Sequence, residues 1–413
     1  MKPLKIVVIG AGIVGAASAL WLRRAGHDVT LIERGTPGMG ASYGNGGILA
    51  RAAIVPVTQP GTLTKAPRYL LDPNFPLFLR PGYLPRLLPW LIRHLSHANA
   101  RDTQQIARAL TALIGDSVTQ HKALSAGTPA AAWLRESSYS FAYRDRAEFD
   151  ADAYSWGVRR EAGFVPELIE GPAVQEAEPI LAPDFTLLAV NKAHGFILNP
   201  GDYVAALVRA FQDMGGHFLE AEVRDFSLAG GQLSAVMSDQ GQIECTRAVI
   251  AGGIWSKPLM RKLGLNVPLE AERGYHIQFK SPSIVPNNPM MIAAGKFVVT
   301  PMDSGLRCAG IVEFGGLSAK KSRAPLAFLR RKTRASFPAL QAGETEEWLG
   351  YRPTLPDSLP MIGEVAKTGV FAGFGHQHIG LTGGAKTGRI IADLIAGNPA
   401  SIDMRPFSPD RFT

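Results

Sequence analysis

Residues 5–34, KIVVIGAGIVGAASALWLRRAGHDVTLIER, decide how this chain folds. Ile6–Ile9 is an apolar run of strand length, and Gly10-x-Gly12-x-x-Gly15 follows it directly. Ala16–Arg24 reads as a helix stopped at Gly26, and Val29–Ile32 as a second strand ending at Glu33. Together they make a βαβ unit with an acid at the end of its second strand. Gly10 permits the tight turn, Gly12 lets a pyrophosphate approach the backbone, and Gly15 lets helix and strand pack closely. The helix N-terminus offers free N–H groups to the phosphates. Glu33 can accept hydrogen bonds from an unphosphorylated ribose, as in FAD or NAD, while Arg34 leaves a small opening for a 2′-phosphate.

Outward from this unit, 413 residues predict two domains, and 46% hydrophobic content is ample for sizeable cores. Cys245 and Cys308 are the only cysteines and form no CxxC or zinc spacing. Both read as small buried apolar residues in a reducing, cytoplasmic setting. The basic, apolar N-terminus superficially resembles a signal peptide, but the dinucleotide glycines sit inside it and Arg23 and Arg24 close it, so the first strand explains it better. No run of 18 apolar residues predicts a membrane span.

The net charge of +8 raises the question of an anionic partner. No RNA-binding motif or aromatic–basic interleaving is present, which argues against nucleic acid. Residues 80–95 mix Arg86, Arg93 and His94 with Leu84, Leu87, Leu88, Trp90, Leu91 and Leu95. That composition suits a bilayer interface, tryptophan and leucines sunk and arginines at the head groups, hence a peripheral contact on the inner face of the cell membrane. It equally suits a helix packed on the protein's own body, and Pro85 and Pro89 weaken any continuous helix.

Residues 61–100 are proline-rich and irregular, and a helical pattern covers roughly 103–125. At 198–257 the dinucleotide fold resumes. Asp202 can cap a helix with inner face Tyr203, Leu207, Phe211 and Met214; His217–Phe226 reads as a strand; and Ala248–Ser256 ends a strand in Gly252-Gly253. A basic helix is predicted near 325–335, a strand near 369–372 and a final helix from about Gly384 to Ala396. The expected architecture is α/β: a discontinuous Rossmann-type domain over 1–60, 196–257 and 345–413, with an α+β substrate domain over 61–195 and 258–344 on a mixed or antiparallel sheet.

Five blocks in this order and spacing resemble the D-amino-acid oxidase and dehydrogenase superfamily of FAD flavoproteins, over nearly the whole chain. They are Gly10–Glu33, Gly40–Gly47, Ala251–Ser256, Gly350-Tyr-Arg-Pro353 and Gly373–Gly384. The bacterial D-amino-acid dehydrogenase branch is the most similar. The resemblance implies non-covalent FAD, held by Gly10, Gly12, Ile13, Val14, Gly15, Glu33 and Arg34, by Ser42, Asn45, Gly46 and Gly47, by Val223, Gly252 and Trp255, and by Gly375, Gly380, Leu381 and Thr382. It implies Arg352 as the guanidinium that grips a substrate carboxylate, with Tyr275 and His376 lining the substrate cavity. A planar guanidinium suits that role because it binds a carboxylate bidentately. His276 should point to the face opposite Tyr275. His378 stands where the family has glycine, which alters the pocket. The histidine pair 376/378 lacks the acids or cysteines that a metal site needs.

The implied reaction is oxidation of a D-amino acid, hydride passing from Cα to the flavin and electrons then going to a carrier such as quinone. A cyclic or secondary amine acid (D-proline, hydroxyproline, sarcosine, glycine) is the alternative within the superfamily. A flavoprotein component of tRNA modification is the alternative outside it, and salt-sensitive tRNA binding would mark it.

Overall fold

The computed structural model describes residues 2–62 and 76–412. Residues 63–75, part of the proline-rich stretch expected to be irregular, lie outside the described residues. Strand β1 (Lys5–Ile9), helix α1 (Ile13–Arg24) and strand β2 (Asp28–Glu33) form the expected unit. β1 and β2 run parallel at the centre of a six-stranded sheet. The other strands are His217–Glu220 beside β2, then Arg247–Ile250, Val370–Phe374 and the antiparallel edge Met361–Val365 beyond β1.

Alternation along β1 creates two cores. Ile6 and Val8 face α1, while Val7 and Ile9 face a three-stranded antiparallel meander, Val223–Ala229, Gln232–Ser238 and Gly241–Glu244. On the helical side α1 packs against Pro200–Asp213 and the final helix, Gly380–Ile395. α1 and the final helix touch through small residues: a Cβ on Gly384 would lie 2.8 Å from Ile13, and one on Gly388 2.6 Å from Ala17 Cβ and Ser18 N.

The second unit is a ten-stranded mixed sheet. Next to one edge Glu270–Phe279, buried over all ten residues, pairs antiparallel with Gly305–Phe314 on one side and with the edge strand Thr345–Thr354 on the other. Thr345–Thr354 was expected with the dinucleotide-binding unit; its ladder partners put it in this sheet instead. The helices Ala100–Ile114 and Ser117–Ser125, expected with the substrate unit, bury Ile106, Leu110, Leu113 and Ile114 in the same core as Leu20 and Ile390. An amphipathic pattern reveals that a face is buried, not which core receives it.

Local expectations shift too. Asn199, not Asp202, caps the Pro200–Asp213 helix, accepting from Asp202 N at 3.3 Å, and Met214 is exposed beyond its end. The single strand expected over 217–226 divides between two sheets at Ala221-Glu222. The final helix begins four residues earlier than expected, at Gly380.

Leu84–Ser96 is one helix despite its prolines. Pro85 sits in the first turn, where a missing N–H costs nothing, and Pro89 forfeits one hydrogen bond. Leu87, Trp90 and His94 face inward, Trp90 stacking on His94 at 4.6 Å and packing near Phe314. The tryptophan is therefore not a bilayer residue. The outward row is Leu84, Leu88 and Ile92, the last 60% exposed. Both cysteines are free and buried. Among the described residues no helix is long and apolar enough to cross a membrane.

Gly388→Ala should force α1 and the final helix apart. Overpacking of this kind costs roughly 1–3 kcal/mol, so a thermal melt should show a midpoint lower by several degrees, against an equal or higher midpoint for an Ala placed at the uncrowded, helical Gly157.

Candidate functional site

A cavity of about 1520 Å³ runs between the two units, larger than the roughly 300–1,000 Å³ of ordinary small-molecule sites. One end is lined by Gly10, Gly12, Ile13, Val14, Glu33, Arg34, Val223, Gly252 and Trp255, all nine expected there. The glycines are sterically compelled. A Cβ at Gly10 would lie 2.7 Å from the Ala251 carbonyl oxygen, and one at Gly15 1.7 Å from the Gly10 carbonyl oxygen. Gly12 is crowded by nothing closer than Ser42 Oγ at 3.4 Å, so backbone is open to a phosphate. Glu33 is fixed by Ala11 N, donating at 2.7 Å, and Arg34 N at 2.9 Å, at the wall of the cavity. The Arg34 guanidinium lies 4.1 Å over the Trp255 ring, so it covers the rim of this end and is not held out for a 2′-phosphate. These features fit the adenosine and pyrophosphate of FAD.

The middle of the cavity is formed by residues 42–48. Ser42 is not a free hydroxyl, because its Oγ accepts from Ile13 N at 3.0 Å at the start of α1. Asn45 Oδ1 accepts from Gly47 N at 2.9 Å and folds the loop on itself. The large sheet holds the loop from behind. Arg307 Nη1 donates to the carbonyls of Tyr43 (2.7 Å) and Asn45 (2.9 Å), His276 Nδ1 to Gly44 (3.1 Å) and Thr300 Oγ1 to Gly46 (2.6 Å). Trp348 stacks on His276 at 5.2 Å and fills the space a Cβ on Gly44 would need. Arg307, Thr300 and Trp348 carry no motif, and only the tertiary pairing reveals them.

Opposite this loop stands the N-terminus of the final helix, with Gly380, Leu381 and Thr382 at the cavity. Its unpaired N–H groups and dipole favour negative charge, as on a reduced flavin. Thr382 Oγ1 donates to Ile48 O at 3.2 Å and ties helix to loop, while Gly375 turns the chain with φ +88°. His376, expected in the substrate cavity, is part of its wall, but its ring is buried and bonded to Thr387 Oγ1 at 2.9 Å, and burial pushes its imidazole down to about 3. It is a neutral brace. His121, also missed, bridges Tyr203 OH and the Leu381 carbonyl at 2.8 Å each.

The third region holds the candidate substrate site. Glu272, Gly274 and His276 share a sheet face with their register partners Arg352, Gly350 and Trp348. The Arg352 guanidinium lies over Gly274, where a Cβ would fall 2.8 Å from Cζ. Its one hydrogen bond to protein is Nη1 to Ile311 O at 3.3 Å, and among the described residues it closes no ion pair. Its remaining donors are therefore available to a ligand. His378 also lines the cavity and leaves over a third of its surface open to it, while the surrounding protein and then Arg352 push it down to about 4.

Tyr275 is not at this site. Its side chain is on the other face, almost fully buried, with OH donating to Glu313 Oε2 at 2.6 Å beside Arg273. The two faces of the strand were distinguished correctly, but the cavity lies on the side of His276. His376 and His378 diverge, and no group of three or more metal-binding side chains exists among the described residues.

The family model described as FAD dependent oxidoreductase (DAO) matches residues 5–394. A D-amino-acid oxidase of Bradyrhizobium diazoefficiens is 37% identical over 98% of this chain and 98% of its own. A D-amino acid dehydrogenase of Rhizobium rhizogenes is 28% identical over 99% of this chain and all of its own. Among solved structures, glycine oxidase from Geobacillus kaustophilus superposes with a TM-score of 0.75 at 21% identity, covering 99% of this chain and all of that one. L-proline dehydrogenase from P. horikoshii gives 0.74 at 19% identity over 100% and 98%. At such identities the likeness is one of fold.

Five almost fully buried histidines are held neutral by burial: His94, His121 and His194 at about 4, His276 and His376 at about 3. Unfolded, each takes a proton near 6.5. Their contribution is complete above that value and is lost as pH falls toward 4, on the order of 1–2 kcal/mol each at pH 5. Melting temperature should therefore drop steeply between pH 6.5 and 4.5; a flat profile would mean that the imidazoles already ionise in the folded protein.

Proposed function

From membership in the FAD-dependent oxidoreductase family, to which the chain belongs, we propose that the protein oxidises D-amino acids, with Arg352 holding the substrate carboxylate. The observation that carries this is the unpaired guanidinium of Arg352, laid over Gly274 in the same cavity as the glycine loop and the helix N-terminus. Bound FAD supplies the acceptor for hydride from Cα. The residues of the chain orient the substrate and exclude water. A bidentate grip on the carboxylate leaves Cα one bond from a fixed point, and positioning of that kind supplies much of the rate. His378 and Trp348 bound the space left for the side chain. The curated names of the relatives, a D-amino-acid oxidase and D-amino acid dehydrogenases, support the substrate class.

For the electrons we propose a carrier such as a membrane quinone, reached by peripheral docking on the inner face of the cell membrane. Helix Leu84–Ser96 supports this. Its inner residues Leu87, Leu91 and His94 line the cavity, and its outer row Leu84, Leu88 and Ile92 is exposed beside Arg86 and Arg93. One helix thus separates the cavity from an apolar, basic surface suited to anionic lipid.

Arg352→Lys should keep FAD, read from the flavin absorption band, while KM for D-amino acids rises roughly 10–100-fold, the cost of a lost charge-assisted pair. Unchanged KM would remove Arg352 from the carboxylate site. Leu88→Asp with Ile92→Asp should abolish co-sedimentation with anionic vesicles and leave flavin reduction by substrate unaltered; vesicle binding that persists would exclude this helix as the docking face.

A further inference from the structure

Glu272 is a charged group at the same cavity that the reading above leaves unused. It is the register partner of Arg352, on the same sheet face, 6% exposed and part of the cavity wall. The two ends do not close into an ion pair, so neither neutralises the other at contact. Gln377 Nε2 donates to Glu272 Oε1 at 3.3 Å. Gln377 is itself buried and holds φ at +52°, a left-handed conformation that strains a non-glycine residue. The chain tolerates that strain where it aims an amide at this carboxylate.

A guanidinium and a carboxylate side by side on adjacent strands, about 5 Å apart at Cα, mirror an amino acid, whose carboxylate and ammonium flank one carbon. We propose that Glu272 receives the amino group of the substrate while Arg352 receives its carboxylate, so that the pair reads the zwitterion. This rests on the proposed amino-acid oxidation. The ammonium passes one proton to the carboxylate, which gives a neutral amine and a carboxylic acid. The nitrogen lone pair then supports the carbon from which hydride departs. Burial raises the Glu272 pKa and Arg352 opposes the rise. Arg352 acts on Glu272 from the neighbouring strand, and His376 and His378, on either side of Gln377 in the loop, are pushed down to about 3 and about 4 and remain neutral near pH 7. Glu272 is thus the protein group whose ionisation governs amine binding, which strengthens as pH rises through its elevated pKa.

The test uses FAD-loaded protein between pH 5.5 and 9, mixed anaerobically with D-alanine, whose Kd is read from the concentration dependence of the flavin-reduction rate, and titrated with propionate, the same skeleton without the amine, whose Kd is read from perturbation of the oxidised-flavin spectrum. Glu272→Gln should raise the Kd of D-alanine at least tenfold, remove the acid-side pH dependence of its binding, and leave propionate within twofold. Equal weakening of both ligands means that Glu272 merely props Arg352, and overturns the assignment. If Glu272→Gln does not retain flavin, wild type decides: a preference for D-alanine over propionate that grows with pH upholds the proposal, and no preference at any pH overturns it. Propionate bound equally well by Arg352→Lys and wild type would overturn the carboxylate reading instead, and this one with it.

Discussion

Four successive carbonyls, from Tyr43 to Gly46, are each hydrogen bonded by a buried side chain of the large sheet: Arg307 twice, His276 and Thr300 once each. The rest of the site depends on this. A glycine-rich loop has little conformational preference of its own, and here its shape is imposed by another unit. Arg307 is 2% exposed with no carboxylate partner among the described residues; its charge is met by three oxygens, the third being Gln278 Oε1 at 2.9 Å. A buried cation satisfied only by neutral acceptors is costly to place. Its pKa is pushed down to about 10 by that burial. Removing it would leave two loop carbonyls unpaired inside protein.

The same strand, Glu270–Phe279, separates two kinds of electrostatics. On the face away from the cavity, Arg273, Tyr275 and Glu313 close on one another and on Ser322, a satisfied cluster that secures the 315–322 loop. On the cavity face, Glu272 and Arg352 stay apart. Satisfied charges make structure; separated charges in a cavity leave capacity for a ligand. The contrast within ten residues distinguishes the face that is closed from the face that can take a ligand.

The dinucleotide end was legible from sequence because its constraints are local. Tight turn, close backbone approach and terminal acid all fall within residues 5–34, and steric crowding at Gly10 and Gly15 leaves no substitute for glycine. The place of Arg352 in the cavity wall was legible through its Gly-Tyr-Arg-Pro block. Tyr275 was misplaced because alternation tells that two neighbours face opposite ways, not which way the ligand lies. Arg307, Thr300, Trp348 and Glu272 were invisible because each acts through a partner 80 or more residues away, across contacts that only folding creates. The domain assignment of 100–125 and 345–354 failed for the same reason: pattern shows burial, and topology decides the core.

The cavity takes its walls from residues 10–33, 42–48, 252–255, 272, 352 and 375–382, so its first contributor and its last are separated by almost the entire chain. On a ribosome the glycine loop emerges far ahead of the helix that faces it. A nascent chain therefore has no complete cavity until that helix has formed, and loop closure over some 370 residues must come first. A cofactor that binds such a finished arrangement and not the open chain adds to the stability of the fold with the logarithm of its free concentration.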